Sequence, residues 1–249
     1  MEKSKEPKEK HNLAKKFLKY KGKNFEIAYE ILGNQTKEYI LFLHGWGSNK
    51  EIMKGSFGGR FEGFTHLYVD LPGFGKSSNT EVIDTQDYAQ ILSIFLQELG
   101  VTPSVVFGHS FGGKVATLLN PKELVLLSSA GIVCPKPLSV RIKIICAKIF
   151  KKFKISSSML RSQDVNGMSE VMYEVFKRVV DEDFSSHFSS CTSKALLFWG
   201  KEDTATPLSS GEKIASLLKD SKLYAMEGDH FFFIKRSKEI EERFLEWRE

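Results

Sequence analysis

The run Val105-Val106-Phe107-Gly108-His109-Ser110-Phe111-Gly112-Gly113 decides how the rest of this chain is read. Its first three residues suit a strand buried on both faces, and they lead directly into a Gly-x-Ser-x-Gly sequence. A serine that attacks a carbonyl must stand clear of the backbone on a tight, strained turn. Glycines on either side permit such a turn because side chains there would clash. A helix starting near Phe111 would aim its free N–H groups at the place where an oxyanion forms. Taken alone, the five-residue pattern reads equally well as an ordinary glycine-rich strand-to-helix turn.

The surrounding chain has the texture that such a turn requires. Short apolar runs recur at 39–43, 67–69, 124–127, 195–199 and 223–226, again as strands of a parallel sheet would. Helical patterns lie between several of them. Thr85–Leu99 sets Tyr88, Ile91, Leu92, Phe95, Leu96 and Leu99 on one stripe, with Gly100 as a stop; 211–218 and 237–247 read similarly. Ahead of these, 17–20 and 24–32 flank Lys21-Gly22-Lys23, and Phe25, Ile27, Tyr29 and Ile31 alternate with polar or small residues. A β-hairpin is expected there, with an amphipathic membrane-surface helix through Leu13, Phe17 and Leu18 as the rival. The fold class is therefore α/β, a mostly parallel sheet of about eight strands with helices on both faces. From Val133 to Ser193 no buried strand is evident. Ile142, Ile145, Ile149 and Phe153 recur at helical spacing and 168–180 forms a second amphipathic stretch, so this segment is expected to be a helical insertion. The expected organisation is a lysine-rich tail (1–16), a first core part (17–132), the insertion (133–193) and a second core part (194–249).

Chemistry-bearing residues collect at the carboxyl ends of these strands, where ligands of open parallel sheets bind. His44-Gly45-Trp46-Gly47-Ser48 follows one strand and offers a backbone donor at Trp46. Asp70-Leu71-Pro72-Gly73-Phe74-Gly75-Lys76-Ser77 follows the next and reads as a tight turn packing under that loop. Asp203 lies just past the strand at 195–199, and Glu227-Gly228-Asp229-His230-Phe231 places a histidine past the last one. Ser110, Asp203 and His230 thus share one edge. Asp229 adjoins His230, but neighbouring side chains on a loop rarely converge, so Asp203 is the preferred acid. His44 is expected to brace loops by hydrogen bonding, His66 to be structural, and His187 and Glu202 to face solvent.

Together these motifs resemble the α/β-hydrolase fold superfamily, and within it the small serine esterases with a helical cap, over about residues 17–249. The resemblance implies that Ser110 is the nucleophile, His230 the general base and then acid, and Asp203 the residue that orients it. It implies an oxyanion hole of the Phe111 and Trp46 N–H groups, and substrate contacts from His44, Gly45, Trp46, His109, Phe111 and Phe231. The segment 133–193 would be the cap, with Ile144, Ile145, Phe153, Met159, Met168, Met172 and Phe176 as pocket candidates. A serine at the elbow argues against haloalkane dehalogenases and soluble epoxide hydrolases, which carry aspartate there. The implied activity is hydrolysis of a carboxylic ester or thioester of a small to medium acyl substrate through an acyl-enzyme, with no metal and no cofactor. Alternatives remain open: a carbon–carbon bond hydrolase, an acyl-carrier-protein or membrane-associated acyl esterase, and a non-catalytic ligand-binding member of the fold.

Composition bounds the remaining classes. With 41% hydrophobic and 27% charged residues in 249, wholesale disorder is excluded. No run approaches the roughly 18 apolar residues of a membrane span, and the start is too charged for a secretory signal. Cys134, Cys146 and Cys191 show neither a disulfide framework nor zinc-ligand spacing, so a cytoplasmic location is expected. The net charge of +5 is mild, but lysines crowd the first two dozen residues and the run from Lys136 to Lys154. Nucleic acid is not expected as a partner. The basic cap, through Arg141, Lys148, Lys151 and Lys152, offers weak contact to an anionic membrane or an acidic acyl carrier, against solvated faces as the plainer reading.

Overall fold

The computed structural model of the protein describes residues 14–33, 36–133 and 168–249. Their strands are β1 (Ala14–Tyr20), β2 (Lys23–Leu32), β3 (Tyr39–Leu43), β4 (Thr65–Val69), β5 (Val105–His109), β6 (Glu123–Leu127), β7 (Lys194–Gly200) and β8 (Ser221–Met226). The helices are α1 (Lys50–Phe57), α2 (Thr85–Leu99), α3 (Phe111–Leu119), α4 (Glu170–Val179), α5 (Ser185–Ser190), α6 (Leu208–Leu217) and α7 (Phe233–Arg248). The strands form one sheet in the order β1-β2-β4-β3-β5-β6-β7-β8. β1 pairs antiparallel with β2, and β2 with β4; every later pairing is parallel.

Strand periodicity sorts the core into two layers. In β3, Leu41 and Leu43 point to the side covered by α2 and α3, where Ile91, Leu92, Phe95 and Val115 are buried. Ile40 and Phe42 point to the side of α1 and α7, among Phe57, Phe107, Phe233 and Phe244. The Phe42 ring stacks on Tyr68 at 4.7 Å and on Phe57 at 5.4 Å. Each such side chain, fully buried, contributes about 1.5–3 kcal/mol. Helix α2 begins with a reciprocal capping box between Asp84 and Asp87 and stops at Gly100, whose φ is +66°.

The N-terminal segment is the expected hairpin, and its strand rules out the surface-helix reading for residues 14–20. Leu18 is buried while Phe17 stands exposed on the opposite face. Four of the five lysines of this hairpin meet acidic side chains of the same chain: Lys15 lies 2.6 Å from Glu26, Lys16 3.6 Å from Glu98, Lys21 2.8 Å from Asp87 and Lys23 3.3 Å from Glu81. At the far edge β8 departs from the expectation of a strand buried on both faces. Only Met226 is buried, because β8 has a single neighbour and its other side meets solvent. Helix α1 was not expected from sequence; it buries Met53 and Phe57, and the Asn49 side chain caps it by accepting from Glu51 N–H. Helix α7 begins at Phe233, four residues before the expected 237. Between β6 and β7 the described residues hold helices α4 and α5. The basic run 136–154 and Ile144, Ile145, Phe153 and Met159 lie outside the described residues. No helix among the described residues is long and apolar enough to cross a membrane.

Candidate active site

Ser110 sits between β5 and α3 with φ +50° and ψ −115°. A non-glycine residue held in that region stores about 1–3 kcal/mol of strain. Three backbone bonds hold it there. Ser110 N–H donates to Leu127 O at 3.1 Å, and the N–H groups of Gly113 and Ala130 each donate to Ser110 O at 3.0 Å. The flanking glycines are required by close approach. A Cβ on Gly108 would lie 2.5 Å from Gly112 O, and one on Gly112 would lie 2.6 Å from His44 O.

The loop after β3 meets this turn. Gly45 lies against Ser110 and His109, so near that a Cβ there would be 3.1 Å from Ser110 Cβ. Among the described residues neither Trp46 N–H nor Phe111 N–H has a hydrogen-bond partner, and α3 has no side-chain cap. The Trp46 ring is enclosed by Phe74 at 4.8 Å, Phe176 of α4 at 5.3 Å and Phe111 at 5.5 Å. His44 braces loops as expected: its Nδ1 donates to Gly45 O at 2.7 Å and its Nε2 accepts from Leu71 N–H at 3.1 Å. Burial pushes it down to about 4, so it is neutral at pH 7. The turn at 70–77 does pack beneath this loop. Its anchor is the buried Asp70 carboxylate, which accepts from Lys50 N–H at 2.7 Å and Lys76 N–H at 2.9 Å, with Lys50 Nζ at 3.3 Å.

Asp203 and His230 are joined directly, Nδ1 to Oδ2 at 2.8 Å. Asp203 is buried, and its Oδ1 accepts from Ala205 N–H at 2.8 Å and Thr206 N–H at 2.9 Å. The Thr206 hydroxyl lies 2.8 Å from Oδ2 and 3.1 Å from Ser128 O. Burial alone would raise the Asp203 carboxyl, but these donors outweigh it and hold the group at about 2. The carboxylate is therefore ionised at neutral pH and accepts the Nδ1 proton, so the neutral form of the ring has its lone pair on Nε2. Asp229 turns away: its carboxylate accepts from Phe231 N–H at 2.8 Å, and the residue is exposed.

The contact with this pair from the strand end that carries Ser110 is made by His109. The His109 ring lies 4.7 Å from the His230 ring and 5.2 Å from that of Phe231, which is exposed at the rim. Among the described residues Ser110 Oγ makes no hydrogen bond. His66 is buried with Nδ1 2.8 Å from Tyr68 Oη, while His187 and Glu202 face solvent. Thr206 was missed from sequence, although Asp203-Thr204-Ala205-Thr206 is a pattern in which Asp caps its own following turn. Lys114, buried on α3 and bound to Glu182 at 2.7 Å, left no signal, since a lysine reads as surface. No group of three or more His, Cys, Asp or Glu side chains suited to a metal ion occurs among the described residues.

Comparison with known proteins agrees with this architecture. The sequence model of the Alpha/beta hydrolase family matches residues 40–240. The uncharacterized hydrolase YugF of Bacillus subtilis is 24% identical over 80% of this chain and 85% of its own. The pimeloyl-[acyl-carrier protein] methyl ester esterase of Proteus mirabilis is 28% identical over 44% of this chain and 42% of its own. Among solved structures, the esterase EaEST of Exiguobacterium antarcticum superposes with a TM-score of 0.71 at 22% identity, covering 90% of this chain and 95% of that one. With four-fifths of its length inside the family match, and with the eight-stranded sheet that the sequence implied, this chain belongs to the Alpha/beta hydrolase family.

Proposed function

We propose that the protein is a serine hydrolase cleaving a carboxylic ester or thioester of a small to medium acyl substrate, with Ser110, His230 and Asp203 as its triad. The observation that carries this is the 2.8 Å bond from His230 Nδ1 to an ionised, buried Asp203. With Nδ1 so engaged, Nε2 is the ring nitrogen left for Ser110 in this reading. A serine hydroxyl is a weak nucleophile unless a base removes its proton as it attacks. In the proposed sequence His230 Nε2 takes the Ser110 proton while Oγ adds to the acyl carbon. Asp203 stabilises the resulting imidazolium and fixes the ring. The Trp46 and Phe111 N–H groups receive the oxyanion, each worth about 3 kcal/mol to the transition state. Collapse expels the alcohol or thiol with the proton from His230, and water then releases the acyl group by the same steps.

The insertion, 133–193 by our reading, serves as the cap. Its helix α4 lays Phe176 against Trp46 and buries Met172 beside Gly73, so an acyl chain entering over the oxyanion loop would meet apolar, adaptable side chains. Names of the similar proteins, an acyl-carrier-protein methyl ester esterase and an esterase, favour ester cleavage. A fluorophosphonate probe should label the wild-type protein at Ser110, and p-nitrophenyl acetate should turn over; Ser110→Ala should abolish both. A panel of esters and thioesters of graded acyl length then reads the cap's preference. Absence of labelling, with Ser110→Ala indistinguishable from wild type, refutes the proposal.

A further inference from the structure

We infer that His109 is a positioning residue, a neutral strut of defined tautomer that sets the distance between Ser110 and His230. The inference rests on the triad reading above. His109 Nε2 lies 3.0 Å from the backbone carbonyl of His230. A carbonyl only accepts, so Nε2 carries the proton and Nδ1 is a lone pair. That Nδ1 is buried with no partner, against Gly45, where a Cβ would stand 2.9 Å away. The ring is 1% exposed, packed against the rings of His230, Phe231 and Phe233 at 4.7, 5.2 and 4.8 Å.

The position in the chain gives this bond its meaning. His109 is the last residue of β5, locked in the sheet opposite Leu127, and its next peptide unit carries Ser110. His230 instead sits in the loop between β8 and α7. Its ring is tied to Asp203 at one end, and among the described residues His109 is the partner of its backbone carbonyl. With both ends held, the imidazole has little freedom to swing away from Ser110. The strut starts one residue from the attacking oxygen, so nucleophile and base are gauged from the same strand end. Burial, and then the neighbouring His230, push His109 down to about 3, so it stays uncharged throughout the working range. A positive charge there would repel the imidazolium that His230 must become.

The test pairs two amides. Glutamine places its N–H near the position of imidazole Nε2, and asparagine near that of Nδ1. His109→Gln should therefore keep the maximal rate within a few-fold, whereas His109→Asn and the donorless His109→Phe should lose about ten- to a hundred-fold in kcat with KM little changed. Rates are divided by the fraction of protein that a fluorophosphonate titrates, which removes losses due to misfolding. Equal losses in all three variants, or losses that vanish after this correction, overturn the strut. Independently of activity, side-chain 15N spectra of the full chain should show His109 as the Nε2–H tautomer, untitrated between about pH 5 and 9. An Nδ1–H tautomer, or protonation within that range, overturns it as well. A protein that fails to label but shows the expected His109 tautomer would defeat the triad reading while leaving the hydrogen bond intact.

Discussion

The buried ion pair between Lys114 and Glu182 makes a prediction in which the two partners are not equivalent. Lys114 is 2% exposed in its side chain, whereas Glu182 is 27% exposed. The ammonium donates to Val179 O at the end of α4 at 2.6 Å and to Glu182 at 2.7 Å, and it faces the Phe184 ring at 4.8 Å. Glu182 also accepts from the Thr85 hydroxyl of α2. Glu182→Ala leaves a charged nitrogen in a nearly closed site with one carbonyl and aromatic faces. Breaking a buried pair from this side costs about 3–5 kcal/mol, and the lower figure applies because water can follow the half-open carboxylate position. Lys114→Met keeps the volume, leaves Glu182 with Thr85 and solvent, and loses the bond to Val179, about 1–2 kcal/mol. The double variant should then be no less stable than Lys114→Met alone, since the stranded charge is gone. Urea denaturation of the four proteins at a common slope measures this cycle. Burial holds Lys114 below its ordinary 10.5, whereas the unfolded chain keeps the ordinary value. The unfolded state thus binds more protons in that interval, and stability from this group rises with pH toward 10.5. The rise should be steeper in Glu182→Ala. Additive losses, or a Lys114→Met loss exceeding that of Glu182→Ala, would refute the reasoning.

Three further outcomes are expected. Asp203→Asn should lower kcat by about 10⁴-fold with the fold retained, because an amide donor facing Nδ1 forces the proton onto Nε2; unchanged ester turnover would reassign the acid. Thr206→Val removes the hydroxyl that links Asp203 to Ser128 O and should lower kcat about ten-fold, with Thr206→Ser recovering it, both read from initial rates. The Asp203 carboxyl, held at about 2 against 3.8, contributes about 2 kcal/mol of stability. That contribution is complete above about pH 4 and is lost as pH falls through about 2, so Asp203→Asn should flatten this part of the acid-denaturation curve, measured by urea midpoints against pH.

Much of the architecture was already legible as local pattern. Alternation at Phe25, Ile27, Tyr29 and Ile31 announced a half-buried strand, though at its end Ile31 is exposed and Glu30 buried against Lys50 and Lys54, and the stripe along Thr85–Leu99 with Gly100 announced a helix and its end. Such periodicities follow from how a regular backbone presents side chains to a core, so they survive in a linear string. The elbow was equally visible, since only small residues pass where Gly108 and Gly112 meet neighbouring backbone. Edge exposure of β8 was not, because a strand's number of neighbours is a property of sheet order rather than of its own residues.

For the site, the string by itself determined which residue types stand beyond strand ends: a serine on a glycine turn, an acid after β7, a histidine after β8. Their pairing was decided only in three dimensions. Asp203 rather than Asp229 meets the imidazole because Asp229 spends its carboxylate on its own turn, and Thr206 joins because the turn after Asp203 folds back on it. The burial of Lys114 and the donor from His109 to the His230 backbone arise between segments 65 and 121 residues apart. No local pattern encodes such contacts. Hydrogen bonds and ion pairs act over a few ångströms, and which groups come that close is settled only when the sheet and its covering helices are packed.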